Sequence, residues 1–195
     1  MTRPDSPALL MVDVQVDFCP GGALAVKGGD AIVPVANRLA ARAAALGLPV
    51  YASRDWHPDG SAHFRPQGPW PRHCVAGTDG ARLHPDLALP STTQIVSKGT
   101  GPDEHGYSVF EGRVAGRGEF GDDLVARGVN HLVVCGLATD YCVRATVLDA
   151  LARGFRVTVV EDGVAAVDAA DGDGVRAMAG MREAGAAVQP SGAIF

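Results

Sequence analysis

The stretch VCGLATDYCV at 134–143 places a thiol, Cys142, four residues beyond Ala138, where an apolar strand-like run gives way to a helical pattern. A lone cysteine is ordinarily a small buried hydrophobe. Two other residues change that expectation, because they close apolar runs of the same kind: Asp13 after ALLMV and Lys98 at the end of TQIVSK. A free thiol, with a pKa near ~8.5, is only slightly ionised at neutral pH. A nearby ammonium and the unpaired N–H groups of a helix's first turn favour the thiolate. A carboxylate can accept the thiol proton and later deliver it to a leaving amine. Asp13, Lys98 and Cys142 therefore form a candidate catalytic set, with the N–H groups of Ala138 and Cys142 as candidate donors to an oxyanion. Without the thiol, Asp13 and Lys98 read equally well as a structural ion pair.

A second set follows the run VYASRD, in the order Asp55-Trp56-His57. Residues i and i+2 of an extended segment point the same way, so Asp55 and His57 can grip one ion. His73, in PWPRHC, can fold back as a third ligand, and His63 is a candidate fourth. Carboxylate and imidazole donors suit zinc, iron or manganese. The expected cofactor is one divalent transition metal ion, with zinc first among these. Cys74 can also reach an ion, but neighbours in an extended segment point oppositely, so it is expected to pack inward. His84, His105 and His131 read as surface residues.

The elements that must position these groups are legible as apolar runs of five to seven residues. ALLMVDV (8–14), VYASRD (50–55), TQIVSK (93–98), HLVVCGL (131–137) and RVTVVED (156–162) read as strands, with AAVQP (186–190) as a short last one. Most are nearly continuous in apolar residues, as expected where both faces of a sheet are covered. Helix patterns lie between them at 31–46, 121–128, 139–154 and 173–185, closing at Gly47, Gly128, Gly154 and Gly185. Thr139 or Asp140 is the expected N-cap of the third. The order predicts a single-domain α/β fold, a mostly parallel sheet flanked by helices on both faces. Ligands of such sheets bind outside the carboxyl ends of the strands, where Asp13, Asp55, His57, Lys98 and Cys142 all fall. The segment 55–92, rich in Pro, Gly and His, is too long for an idle connection and is expected to be functional. Gly116 to Gly121 matches G-x-G-x-x-G, but FEGRVA before it is a poor strand, so a dinucleotide site is not expected.

Composition narrows the function classes further. The chain has 195 residues, a net charge of −5 and no cluster of Lys and Arg, which argues against nucleic-acid and anionic-membrane partners. MTRPDSPALLMVDVQ lacks the apolar core of a signal peptide, and no run approaches the ~18 apolar residues of a spanning helix. The four cysteines show no disulfide-framework spacing, so free thiols and a cytoplasmic location are expected.

At these residues the chain resembles the nicotinamidase/pyrazinamidase group of the isochorismatase-like cysteine hydrolases. The matching stretches are VDVQVDFCPGGAL (12–24), RDWHPDGSAHF (54–64), WPRHCVAGTDGARLHP (70–85), SKGTGPDEHGYSVFEG (97–112) and GLATDYCVRATVLDA (136–150), in the family's order. The resemblance implies a three-layer α/β/α hydrolase domain over 1–195 with a metal-binding loop at about 55–92. It implies Asp13, Lys98 and Cys142 as the catalytic triad, and Asp55, His57, His73 and His63 as metal ligands. It further implies Ala138 as an oxyanion donor, a cis Leu137–Ala138 bond, and Phe18, Trp70, Tyr107, Tyr141 and Leu137 around a ring pocket. The implied activity is hydrolysis of nicotinamide, and of pyrazinamide, to the acid and ammonia through a cysteine thioester, in NAD salvage. The partner is then a small aromatic amide, and homo-oligomerisation stays open. Val16 stands where the family usually has Asn, and Val109 where it usually has Gly. A sister amidase acting on another small amide, or a metal-binding module with an inert cysteine, are the alternatives.

Overall fold

The computed structural model describes residues 5–195, so residues 1–4 of the N-terminal reading lie outside it. Eight strands form one sheet in the order β5-β4-β3-β2-β1-β6-β7-β8. They are β1 (Pro7–Val12), β2 (Val50–Asp55), β3 (Gln94–Lys98), β4 (Arg113–Val114), β5 (Gly118–Glu119), β6 (His131–Leu137), β7 (Arg156–Ala165) and β8 (Ala187–Gln189). All pairs are parallel except β3–β4 and β4–β5. The helices are α1 (Val33–Ala45), α2 (Phe120–Ala126), α3 (Arg144–Ala152) and α4 (Asp173–Glu183).

The period of two along β1 divides the core between the two faces. Leu9 and Met11 pack with Val35, Ala36, Leu39 and Ala40 of α1. Ala8, Leu10 and Val12 pack with Leu124 of α2, Val147 of α3 and Met181 of α4. Burial on both faces is why the central strands β1 and β6 are nearly continuous in apolar residues, and why their runs are readable. The helix start within 31–46 is a 3-10 turn, Gly29–Ile32, which runs into α1. After α1, Gly47 takes φ +68° and donates to Ala44 O while Leu48 donates to Ala43 O, the expected glycine stop.

Three local expectations are corrected. The strand expected over 8–14 ends at Val12, because Asp13 turns out of the ladder at φ +46°. The hairpin β4–β5 was not anticipated: each strand has two residues, too few to show a period. It carries Gly116 and Gly118 at positive φ in an antiparallel turn, which is not the strand–turn–helix of a dinucleotide site. Neither Thr139 nor Asp140 caps α3. The chain leaves Ala138 into a π-helical turn, Thr139–Val143, which continues as α3.

Candidate active site

The sheet order reverses at β1, between β2 and β6, which opens a crevice at the carboxyl ends of the central strands. Asp13 follows β1, Asp55 ends β2, Lys98 ends β3 directly opposite Asp55 in register, and Cys142 lies in the turn after β6. Gly136 makes the approach of β6 to β1 workable: a Cβ there would meet Val12 O at 2.0 Å, and its φ is +120°. The Leu137–Ala138 bond is cis.

Lys98 and Asp13 are fully buried, and Lys98 Nζ stands 2.7 Å from Asp13 Oδ2 and 3.5 Å from Cys142 Sγ. The first contact is an ion pair off the axis of a directed hydrogen bond. Lys98 Nζ also holds Asp55 Oδ1 and Gly106 O at short range. One ammonium thus serves two buried carboxylates. Burial raises the Asp13 carboxyl to about 6, with Lys98 opposing the rise and Asp55 adding to it. Burial also acts against the Asp55 carboxylate, but Lys98 and His57 outweigh it and hold Asp55 well below the ordinary range. Burial lifts the Cys142 thiol well above its usual range despite Lys98, so the resting group is a thiol, its sulfur within 4.8 Å of a carboxylate oxygen of Asp13. Lys98 favours the thiolate, as expected, but desolvation exceeds what the shared ammonium supplies.

A high thiol pKa does not set Cys142 apart. Burial raises Cys19 to about 11 and Cys135 to about 12, and Cys74 well above its usual value. All four cysteines are free and buried. Cys142 differs in having Lys98 Nζ at 3.5 Å and an Asp13 oxygen within 4.8 Å, and in lining an apolar pocket. Cys74 packs inward, as expected.

Beside this set, ligand atoms of His57, His63 and His73 lie within 4.8 Å of one another, all three side chains buried. Nδ1 of His57 faces Gly99 O at 3.1 Å, and Nδ1 of His73 faces Pro71 O at 2.8 Å. A carbonyl only accepts, so both rings carry the proton on Nδ1 and present a bare Nε2. His57 Nε2 has no hydrogen-bond partner although it is buried, and Asp55 Oδ2 lies 3.6 Å from it. Burial lowers the pKa of His63 to about 3 and that of His73 below its usual value, which keeps both as neutral ligands. Three imidazoles, an orphaned nitrogen and a carboxylate suit a divalent cation. Gly99 is required here: its φ is +63°, and a Cβ would come within 2.5 Å of the His57 ring.

Phe18, Trp70, Tyr107, Tyr141 and Ala138 line the pocket as expected. Trp70 Nε1 donates to Tyr107 Oη at 2.9 Å and packs edge-on to Tyr141 with centroids 4.9 Å apart. Leu137 is a correction, since its side chain is fully buried in the cluster with Val26 and Ile32 instead. Leu24, Val167 and His105 line the pocket and were not anticipated there. Val109 needs no glycine: it has no positive φ, its N–H donates to Thr146 Oγ1 at 3.0 Å, and its side chain is core. Val16 holds its loop through its N–H to Arg82 O at 2.9 Å.

Three supporting residues were also missed. Ser53 Oγ donates to Asp13 Oδ1 at 2.7 Å and accepts Asp13 N–H at 3.2 Å. Gln15 grips Asp55 from both sides, accepting its N–H at 2.7 Å and donating to its carbonyl at 2.9 Å. Asp140 accepts the N–H groups of Val167 and Asp168, tying the turn that carries Cys142 to the pocket wall. The alternation of Ser53 with Asp55 on β2 is a period-two signal that could have flagged the serine.

Residues 7–192 match the isochorismatase domain family. A nicotinamidase of Escherichia coli is 42% identical over 197 residues, covering 92% of this chain and 92% of its own. The pyrazinamidase of Pyrococcus horikoshii, solved in complex with zinc, superposes with a TM-score of 0.87 at 42% identity, over 95% of this chain and 99% of its own. An L. infantum protein solved in complex with nicotinate superposes with a TM-score of 0.83 at 34% identity, over 96% of this chain and 94% of its own.

Proposed function

The chain belongs to the isochorismatase family, and from that premise we propose that its pocket is the active site of an amidase with Cys142 as nucleophile. The enzyme hydrolyses nicotinamide to nicotinate and ammonia, and pyrazinamide to pyrazinoate and ammonia, a reaction that serves NAD salvage. The observation that carries the residue roles is one buried thiol 3.5 Å from Lys98 Nζ and within 4.8 Å of an Asp13 carboxylate oxygen, lining an aromatic pocket.

Asp13 takes the thiol proton as the sulfur adds to the carboxamide carbon. Its pKa near 6 leaves it ionised at neutral pH yet basic enough to accept a proton, a balance that suits general catalysis. Lys98 keeps the carboxylate in place and offsets charge on the departing thiol proton's site. The N–H groups of Ala138 and Cys142 hold the oxyanion, each such donor contributing roughly 10²–10³ in rate. Asp13 then gives its proton to the departing nitrogen, which leaves as ammonia. Water, deprotonated by Asp13, adds to the thioester, and the C–S bond breaks to free the acid and the thiol. The segment 55–92 supplies Asp55, His57, His63 and His73, which would hold a divalent ion, zinc being the ion bound in the similar pyrazinamidase. Such an ion supplies a Lewis-acidic contact that a pyridine or pyrazine ring nitrogen can occupy. Phe18, Trp70, Tyr107 and Tyr141 sandwich the ring and exclude water. Among the described residues no helix is long and apolar enough to cross a membrane, and four free thiols fit a reducing cytoplasm.

The test is ammonia release from nicotinamide, pyrazinamide and benzamide by the metal-loaded protein. Nicotinamide and pyrazinamide should yield one ammonia per acid formed. Benzamide has the carboxamide without the ring nitrogen, and loss of that contact should cost roughly 10²-fold or more in kcat/KM. Equal rates for benzamide and nicotinamide would refute a metal that reads the ring. No ammonia from any of the three would refute the amidase.

A further inference from the structure

The three histidines do not hold their rings in the same way. His57 and His73 each rest Nδ1 on a backbone carbonyl, Gly99 O and Pro71 O. His63 has a side chain there instead: its Nδ1 lies 3.3 Å from Nδ1 of His105. Two identical ring atoms at that distance must be one donor and one acceptor. For His63 to present a bare Nε2 beside the other two, its own Nδ1 must carry the proton, and Nδ1 of His105 must accept it.

His105 is exposed while His63 is buried. An exposed ring can leave its remaining proton on Nε2, facing water, at little cost, and so stay an acceptor on the inner side. The ring is also held in place. It stacks on Tyr107 with centroids 6.2 Å apart and planes 26° apart, and Tyr107 is fixed in turn by Trp70 Nε1. The next residue, Gly106, is pinned through its carbonyl by Lys98 Nζ. A residue read from the sequence as surface, and exposed in the structure, thus meets the histidine cluster through its ring.

We propose that His105 is a positioning residue for the metal centre, accepting the Nδ1 proton of His63 and thereby fixing the tautomer and orientation that present Nε2 to the ion. The proposal rests on the reading of His63 as a ligand. Outer partners of metal-bound histidines typically change affinity by about 10–100-fold when removed. A side-chain partner, unlike the two carbonyls, can be removed by substitution.

The experiment measures zinc affinity by chelator competition on the full-length apoprotein, with the visible spectrum of the cobalt form as a report on coordination. His105→Ala should weaken zinc by about 10–100-fold and leave the melting temperature of the apoprotein unchanged. His105→Asn places an acceptor oxygen close to the position of Nδ1 and should restore affinity to within a few-fold of the parent. His105→Ala made on top of His63→Ala should add nothing further, since the two act through one ring. Wild-type affinity in His105→Ala, alongside weakened binding in His63→Ala, would overturn the proposal while leaving His63 a ligand. Losses that add in the double variant, or no rescue by asparagine with a nitrogen ligand lost from the cobalt spectrum, would also overturn it, the latter by making His105 a direct ligand. Unchanged affinity in His63→Ala would instead refute the ligand reading itself.

Discussion

Ser53→Ala removes one hydroxyl from behind Asp13, and its consequence can be worked through to a pH profile. The hydroxyl donates to Asp13 Oδ1 at 2.7 Å in a fully buried site, so it stabilises the ionised carboxylate. Hydrogen bonds to charged groups contribute about 1.5–3 kcal/mol, and 1.36 kcal/mol corresponds to one pKa unit. Losing the bond should therefore raise the Asp13 pKa by about one to two units, above a value that burial already lifts to about 6. Proton abstraction from Cys142 needs the ionised form, so the acid limb of kcat/KM against pH should move to higher pH by the same amount. Activity should recover on the alkaline side of the shifted limb, because no reacting group is lost. Any bound ion acts on parent and variant alike, so the difference between their limbs is the quantity to read. Ser53→Thr, which keeps the hydroxyl, should leave the limb in place. An Ala variant whose acid limb overlays the parent's, or moves to lower pH, would refute the assignment of Asp13 as the base held by Ser53.

Cys142→Ala should abolish turnover while keeping the melting curve close to the parent's. Cys135→Ala, a change deep in the β1–α1 core, should keep most activity at a cost of about 1 kcal/mol; ammonia release from the Cys142 variant would end its role as nucleophile. Lys98→Met leaves two buried carboxylates unpaired and should lower stability by about 3–5 kcal/mol, with slower alkylation of Cys142 by iodoacetamide; an unchanged alkylation rate in folded protein would make the lysine purely structural. Asp123 accepts from Tyr51, Arg117 and Arg127, and although burial opposes it, these donors hold its carboxyl below the ordinary 3.8. A lowered folded pKa gives stability that is complete above the unfolded value and is lost as pH falls through the folded one. Asp123→Asn should thus melt early at pH 7, by about 1–3 kcal/mol in thermal scans, and the deficit should begin to shrink below roughly pH 4 and close as pH falls through the lowered folded value. A deficit independent of pH would assign the loss to packing.

The strands that build the site were readable because they are buried on both faces. Nearly every residue of PALLMV or HLVVCGL is apolar whichever way it points, and a run of that kind closing just before or at Asp13, Asp55, Lys98 or Cys142 stands out in one dimension. His57 and His73 were readable for a related reason, since donor atoms for a cation must be of a few types and the loop is rich in one of them. What the sequence could not hold was the pairing across elements. Ser53 meets Asp13, and Asp55 meets Lys98, only through the register of β2 with its neighbours, over separations of 40 and 43 residues. His105 is an unremarkable polar residue until the 99–107 segment folds back onto His63. Leu137 passes for pocket lining, yet its side chain lies in the core while Ala138 stands at the wall. Residue type and strand position determine which groups can do the chemistry. Tertiary structure decides their protonation, because desolvation and shared charge depend on distances that no linear pattern encodes.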